Sequence, residues 1–177
     1  MATKKIPQTR GSWLKSDKQA PLVVGVATLL ALVGVLLGFR MQNPLWLIPF
    51  LLPAAIVEVA RTEGVSTRTS SWILLLVLVA EIFLIVLGVN FNLAEFLGAS
   101  NQLVGGYLVP LGDIKIVAPA LMAVLSVILI VRTWGIYTRW LAGVIFAGSF
   151  ALIYLLDPVA FQGLWQYALE EAFRFIQ

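Results

Sequence analysis

Five apolar runs, each close to the length that crosses a bilayer, constrain this 177-residue chain more than any other feature. A transmembrane helix needs about 20 predominantly apolar residues. The runs predict spans near residues 21–39, 44–60, 72–89, 114–131 and 140–156. With 60% hydrophobic and 12% charged residues, the chain holds more apolar surface than a water-soluble domain of this length can bury. We therefore predict an all-α integral membrane protein with about five transmembrane helices.

Lysine and arginine residues are distributed unevenly between the two sides of the membrane. Cytoplasmic connections of membrane proteins carry an excess of these residues. With the N-terminus in the cytoplasm, nine of the 12 lysine and arginine residues lie in inner segments. The outer side holds Arg40, Lys115 and Arg174. We therefore predict an inner N-terminus, in a prokaryotic inner membrane or a photosynthetic membrane. Because the positive residues are spread between the spans, we expect no nucleic-acid partner.

The chain divides into one membrane domain and two tails. Residues 1–20 are polar and basic, which predicts a mobile cytoplasmic arm, and residues 21–157 hold the five spans. Residues 158–177 repeat apolar side chains at three- and four-residue steps, the pattern of an amphipathic helix in the membrane interface. Residues 91–112 are apolar but interrupted by glycine and proline, so we expect an interfacial or re-entrant segment on the outer side.

Two missing residue types limit the chemistry of the chain. With no cysteine and no histidine, it lacks a thiol nucleophile and the usual ligands of haem, copper, iron–sulfur clusters and catalytic zinc. It also has no phosphate loop, nucleophile elbow or paired-carboxylate motif. We therefore predict no catalytic residue and no metal site, and an enzyme such as a lipid-modifying one is the less favoured class. Any cofactor contact is expected to be with lipid, a quinone or a pigment.

Glu81 is the acidic residue nearest the middle of a predicted span. A charge facing lipid at that depth costs about 2.5–3.5 kcal/mol, so the side chain should face protein or water or stay protonated. Alternating spans place Ser126 and Ser149 near the same depth, which gives a candidate polar cluster for a proton, an ion or a pigment or quinone head group. The alternative is structural: Glu81 is protonated and bonded to a neighbouring helix, and the serines bond to their own helix backbones.

Small residues spaced four apart predict close contacts between helices. Gly34 and Gly38 form a GxxxG pattern in the first span, and Gly143 and Ala147 repeat this spacing in the fifth. Such pairs let two helix backbones approach each other. The partner helix can belong to the same chain or to another subunit.

These features fit two classes of function. Short connections, missing redox ligands, a basic arm and an amphipathic tail favour an accessory or structural subunit of a larger membrane complex. A respiratory-chain or photosynthetic electron-transfer complex, whose cofactors belong to other subunits, is such an assembly, and the partners are then other membrane subunits and lipids. The alternative is a small proton, ion or solute transporter or channel component that uses Glu81.

Overall fold

Five helices make up most of the chain in a computed structural model that describes residues 19–89, 91, 103–104, 107–108, 114–158 and 161–162. They are α1 Ala20–Met41, α2 Pro44–Arg61, α3 Val65–Val86, α4 Ile114–Arg132 and α5 Ile136–Leu156. Each is long and apolar enough to cross a membrane, which confirms the prediction of a multi-pass helical membrane protein. Between α3 and α4, two-residue strands, β1 Leu103–Val104 and β2 Tyr107–Leu108, pair in antiparallel fashion.

A two-residue connection reverses the chain between α1 and α2. Gln42 has a left-handed backbone conformation with φ 49°, and the N–H of Asn43 donates to the Gly38 carbonyl. The Asn43 side chain accepts a hydrogen bond from the N–H of Leu45 at 2.9 Å, which caps α2. Pro44 follows the cap, at a position where a helix N–H has no partner within the helix. These contacts make α1 and α2 antiparallel neighbours.

α3 begins earlier than hydropathy predicts. The predicted third span starts at Trp72, whereas the helix starts at Val65. Its first two turns are rich in serine and threonine, whose hydroxyls donate to carbonyls four residues earlier, as Thr69 does to Val65 at 2.9 Å. These bonds let a polar segment remain helical before the apolar stretch begins. α5 likewise starts at Ile136 rather than Trp140, while α1, α2 and α4 agree with the predicted spans to within two residues.

α2 packs against α1, α3 and α5, and α5 packs against α1, α2 and α4, so these two helices have the most neighbours in the bundle. α4 packs against α3 and α5 and so completes the bundle. Large apolar side chains form the shared core, and those that are fully buried are Leu47, Ile48, Leu51, Leu74, Leu78, Met122, Leu129, Leu141, Ile145 and Leu152. Interdigitated side chains of this kind hold membrane helices together mainly through van der Waals contact.

Gly34 and Gly38 bring α1 against α2 within the chain. A Cβ atom added at Gly34 would overlap the Cβ of Phe50 and lie 3.1 Å from the carbonyl oxygen of Leu47. A Cβ atom added at Gly38 would lie 3.4 Å from the Cβ of Leu47 on α2 and 2.9 Å from Cδ1 of Leu155 on α5. The GxxxG pattern therefore serves packing inside this chain.

The second small-residue pair has no such contact in the described part of the chain. A Cβ added at Gly143 would meet nothing there within 4 Å, and Ala147 is exposed. Instead, Gly148 admits Leu51, whose Cδ1 would lie 2.8 Å from an added Cβ. A packing role of Gly143 and Ala147 stays a prediction, and it concerns contact with another subunit.

Four arginines lie at one end of the bundle, which we call the arginine end: Arg61, Arg68, Arg132 and Arg139. Two contacts align the helices there. The Nη1 of Arg132 donates to Ser66 Oγ at 3.2 Å, joining the end of α4 to the start of α3. The Arg61 guanidinium lies 5.9 Å from the centre of the Tyr137 ring, joining the end of α2 to the start of α5. The α1–α2 connection lies at the other end, because the 18 residues of α2 extend about 27 Å.

Three predicted segments lie wholly or largely outside the described residues. They are the basic arm over 1–20, the interfacial or re-entrant segment over 91–112 and the amphipathic tail over 158–177. Where the tail is described, Phe161 packs edge-on against the rings of Phe150 and Tyr154 on α5.

Candidate functional site

All three residues of the predicted polar cluster are fully buried. Glu81 lies near the end of α3, Ser126 in α4 and Ser149 in α5. The Ser126 hydroxyl donates to the Met122 carbonyl and the Ser149 hydroxyl to the Ile145 carbonyl, both at 2.8 Å. A hydroxyl bonded in this way has used its only proton, so it can accept a further hydrogen bond but not donate one.

Two of the three residues lie at a similar level of the bundle. The contact between Arg132 and Ser66 places the end of α4 beside the start of α3. Counted from that contact at 1.5 Å per residue, Ser126 lies about 9 Å and Glu81 about 22 Å into the bundle. Ser149 lies about 20 Å from the start of α5, at the same end. Glu81 and Ser149 are therefore the pair closest in depth, and a polar site shared by these residues remains a prediction.

A buried hydrogen-bond network joins α2 to α3 near the arginine end. We call Glu58, Thr62 and Ser71 the Glu58 network. The Thr62 hydroxyl lies 2.7 Å from the carbonyl oxygen of Glu58 and 3.0 Å from its Oε1, and Ser71 Oγ lies 3.1 Å from both Thr62 Oγ1 and the Thr67 carbonyl oxygen. Glu58 and Ser71 are fully buried, so each bond of this network is shielded from water.

Sequence reasoning missed the burial of Glu58. Its position one turn before Arg61 predicts an interfacial carboxylate that the arginine offsets. The structure buries Glu58 between helices, where the positive charge of Arg61 still acts on its carboxyl group, while the Arg61 guanidinium also lies over Tyr137. The sequence signal for a contact between Glu58 and Thr62 is their four-residue spacing, because residues one turn apart on a helix are neighbours on its surface. This network fastens two helices and gives no arrangement of acid, base and nucleophile.

An open cleft of about 560 Å³ lies at the arginine end, between the α2–α3 and α4–α5 connections. We call it the arginine cleft. Its lining residues are Arg61, Glu63, Gly64, Arg132, Thr133, Trp134, Gly135, Tyr137 and Thr138. Two arginines from different helices and one glutamate leave this lining with a net positive charge, which attracts anions.

Thr133 is held firmly in the wall of the arginine cleft. Its N–H donates to the Leu129 carbonyl at 2.9 Å, and its carbonyl accepts from Nε of Arg139 at 2.6 Å. The side chain is only 7% exposed, and its hydroxyl has no hydrogen-bond partner among the described residues. A buried hydroxyl without a partner is unfavourable, so a ligand atom that bonds to it would be stabilising.

A smaller groove of about 280 Å³ lies on the face of α2 and α3 near the same end. Its lining is mostly apolar and includes Arg68 and Trp72. Apolar walls beside an arginine and a tryptophan are typical of the level where lipid chains meet head groups. Within the described ranges, no group of three or more aspartate or glutamate side chains is placed to hold a metal ion.

Comparison of the chain with protein-family models, with curated proteins and with solved structures finds no match.

Proposed function

We propose that the chain is an accessory, structural subunit of a larger integral-membrane complex. The observation that carries this proposal is the apolar middle of the bundle. Of the nine buried polar residues described, six lie at the arginine end: Glu58, Thr62, Thr67, Ser71, Thr133 and Thr138. The three others, Glu81, Ser126 and Ser149, lie on three different helices, in a core whose large side chains are leucine, isoleucine and methionine. Conduction of ions or polar solutes needs a continuous series of polar groups or water, and this interior favours packing instead.

The outer faces of the helices support the same proposal. Only 22% to 44% of the residues in each span are buried within the chain. On α1, Leu22, Leu29 and Leu36 are 68%, 63% and 69% exposed. In a membrane such faces contact lipid or other subunits. Because the chain has no cysteine or histidine, a respiratory or photosynthetic electron-transfer complex with cofactors on its other subunits is the proposed setting.

Gentle extraction of the tagged chain from its own membrane tests this proposal. The native mass of the particle and its absorption spectrum are measured together. We expect a particle whose protein mass is not a whole multiple of the 19.4 kDa chain, with other subunits in fixed ratio. A particle whose mass is a whole multiple of this chain plus lipid and detergent would overturn the proposal.

Transport is the second candidate, and the fully buried Glu81 is the observation that favours it. An acidic side chain within an apolar span is a common site for proton or cation binding. The purified chain in liposomes should then conduct protons or cations, and Glu81→Gln should abolish the flux. The matched control is Glu63→Gln, which removes an exposed carboxylate at the arginine end. Under the subunit proposal, neither the wild-type chain nor either variant raises the flux above that of empty liposomes.

A further inference from the structure

The arginine cleft combines charge, hydrogen-bond donors and shape in one place. Arg61 and Arg132 each lie in the last turn of a helix, where a guanidinium offsets the negative end of the helix dipole. That effect explains each arginine separately. It does not require the two to line the same cleft, whose single carboxylate, from Glu63, balances only one of the two positive charges.

The donors of this cleft match the oxygens of a phosphate group. A guanidinium has five N–H donors, so the bond from Arg132 to Ser66 occupies only part of its capacity. A guanidinium that lies over an aromatic ring, as Arg61 lies over Tyr137, keeps its donors in its own plane. The buried Thr133 hydroxyl adds a neutral donor in the wall. Arginine forks with a nearby hydroxyl are a common way to bind phosphate.

The rim of the cleft faces the level of lipid head groups. Trp134 is 96% exposed and Ile136 is 76% exposed, although both are large apolar side chains next to a cleft. Tryptophan is enriched where the hydrocarbon core meets the polar head groups. A cleft of about 560 Å³ also falls within the usual range of ligand sites.

We propose that the arginine cleft binds a phosphate group, carried either by an anionic lipid head group or by a soluble phosphorylated compound. The guanidinium groups of Arg61 and Arg132 neutralise the phosphate charge, and the Thr133 hydroxyl fixes one of its oxygens. Glu63, exposed on the same lining, reduces but does not cancel the positive charge of the two arginines, so a ligand with one net negative charge fits this cleft better than a neutral one.

Native mass spectrometry of the full chain in a neutral detergent tests this site. The probes are phosphatidylglycerol, phosphatidylcholine with the same acyl chains, and inorganic phosphate as competitor. We expect one phosphatidylglycerol to be retained at concentrations where phosphatidylcholine is not. If millimolar inorganic phosphate displaces that lipid, a free phosphate group suffices and a soluble ligand is the source. If the lipid stays bound, the lipid head group is the source.

Matched variants separate the site from general attraction to anionic lipid. The double variant Arg61→Gln/Arg132→Gln should weaken phosphatidylglycerol binding about 30-fold, since each arginine near an anionic lipid contributes a factor of about five. Thr133→Val, which leaves the net charge unchanged, should also weaken it. The control Arg40→Gln removes one charge at the end of α1, away from the arginine end, and should leave binding unchanged.

Two results would overturn the proposal. One is a loss of binding in Arg40→Gln as large as that in Arg132→Gln alone, which would mean attraction by net charge alone. The other is no preference of the wild-type chain for phosphatidylglycerol together with no binding of inorganic phosphate. Helix content from circular dichroism must match the wild-type value in every variant compared. Arg132→Lys, which keeps the charge, should retain part of the affinity that Arg132→Gln loses.

Discussion

Replacement of Gly34 by alanine should destabilise the bundle, because α1 and α2 approach each other closely there. The added Cβ would overlap the Cβ of Phe50, an atom fixed to the α2 backbone, so no side-chain rotation can relieve the contact. The two helices must separate, and overpacking of this kind costs about 1–3 kcal/mol.

Gly25→Ala is the matched control for this prediction. It makes the same chemical change in the same helix, and nothing described lies within 4 Å of the added Cβ. Both variants gain about 1 kcal/mol of helix propensity, so the difference between them isolates the steric effect. Gly25→Ala should be neutral or stabilising, and Gly34→Ala should be less stable than Gly25→Ala by about 1–3 kcal/mol.

The assay is reversible unfolding in mixed micelles with a rising fraction of denaturing detergent, followed by loss of helical circular dichroism. Gly38→Ala should fall between the two other variants, because its obstacle is the flexible end of Leu155. Equal stability of Gly34→Ala and Gly25→Ala would refute the close approach of α1 and α2 at Gly34.

Three further variants test other contacts. Ser71→Ala should lower the free energy of unfolding by about 0.6–1.7 kcal/mol, because it removes one member of the Glu58 network. The control Ser70→Ala loses only a bond to its own helix and should lower the free energy of unfolding less. Equal losses would contradict a link between α2 and α3. Trp140→Phe removes the 3.1 Å hydrogen bond from Nε1 to Thr28 Oγ1 and should lower the free energy of unfolding by about 0.5–1.5 kcal/mol. In a double variant with Thr28→Val, the same bond cannot be lost twice, so the double variant should lose less than the sum of the two single losses. Additive losses would show that this bond does not join α5 to α1. Glu81→Gln should leave the stability and the assembly of the chain nearly unchanged, since a neutral amide has almost the same size and shape as a protonated, structural carboxylic acid; a loss of partner subunits would contradict this.

Hydropathy predicts the spans well, because a bilayer requires long apolar segments and leaves few alternatives. It misplaces the start of α3, because the hydroxyls of residues such as Thr69 stabilise a helix whose residues are polar. It also cannot identify the partner of a GxxxG pair. Gly34 fits against Phe50 only because the connection at Gln42 and Asn43 folds α2 back onto α1.

The candidate sites are less predictable from sequence than the spans. The arginine cleft depends on two pairings between distant segments, Arg132 with Ser66 and Arg61 with Tyr137, which no local pattern indicates. The two arginines appear in the sequence only as topology signals at the ends of separate spans. Glu58 shows why burial is hard to predict near a span end: its neighbour Arg61 suggests exposure, but Ser71 from α3 covers the same region.

Labelling of single cysteines in sealed, right-side-out membrane vesicles tests the five-crossing account most directly. The chain has no cysteine of its own, so each introduced thiol reports one position. With an impermeant maleimide, we predict that labelling occurs from the outside at Gln42, Leu87 and Pro158, and only after permeabilisation at Gln19, Glu63 and Trp134. Labelling of Gln19 and Pro158 from the same side would require an even number of crossings and would contradict the account.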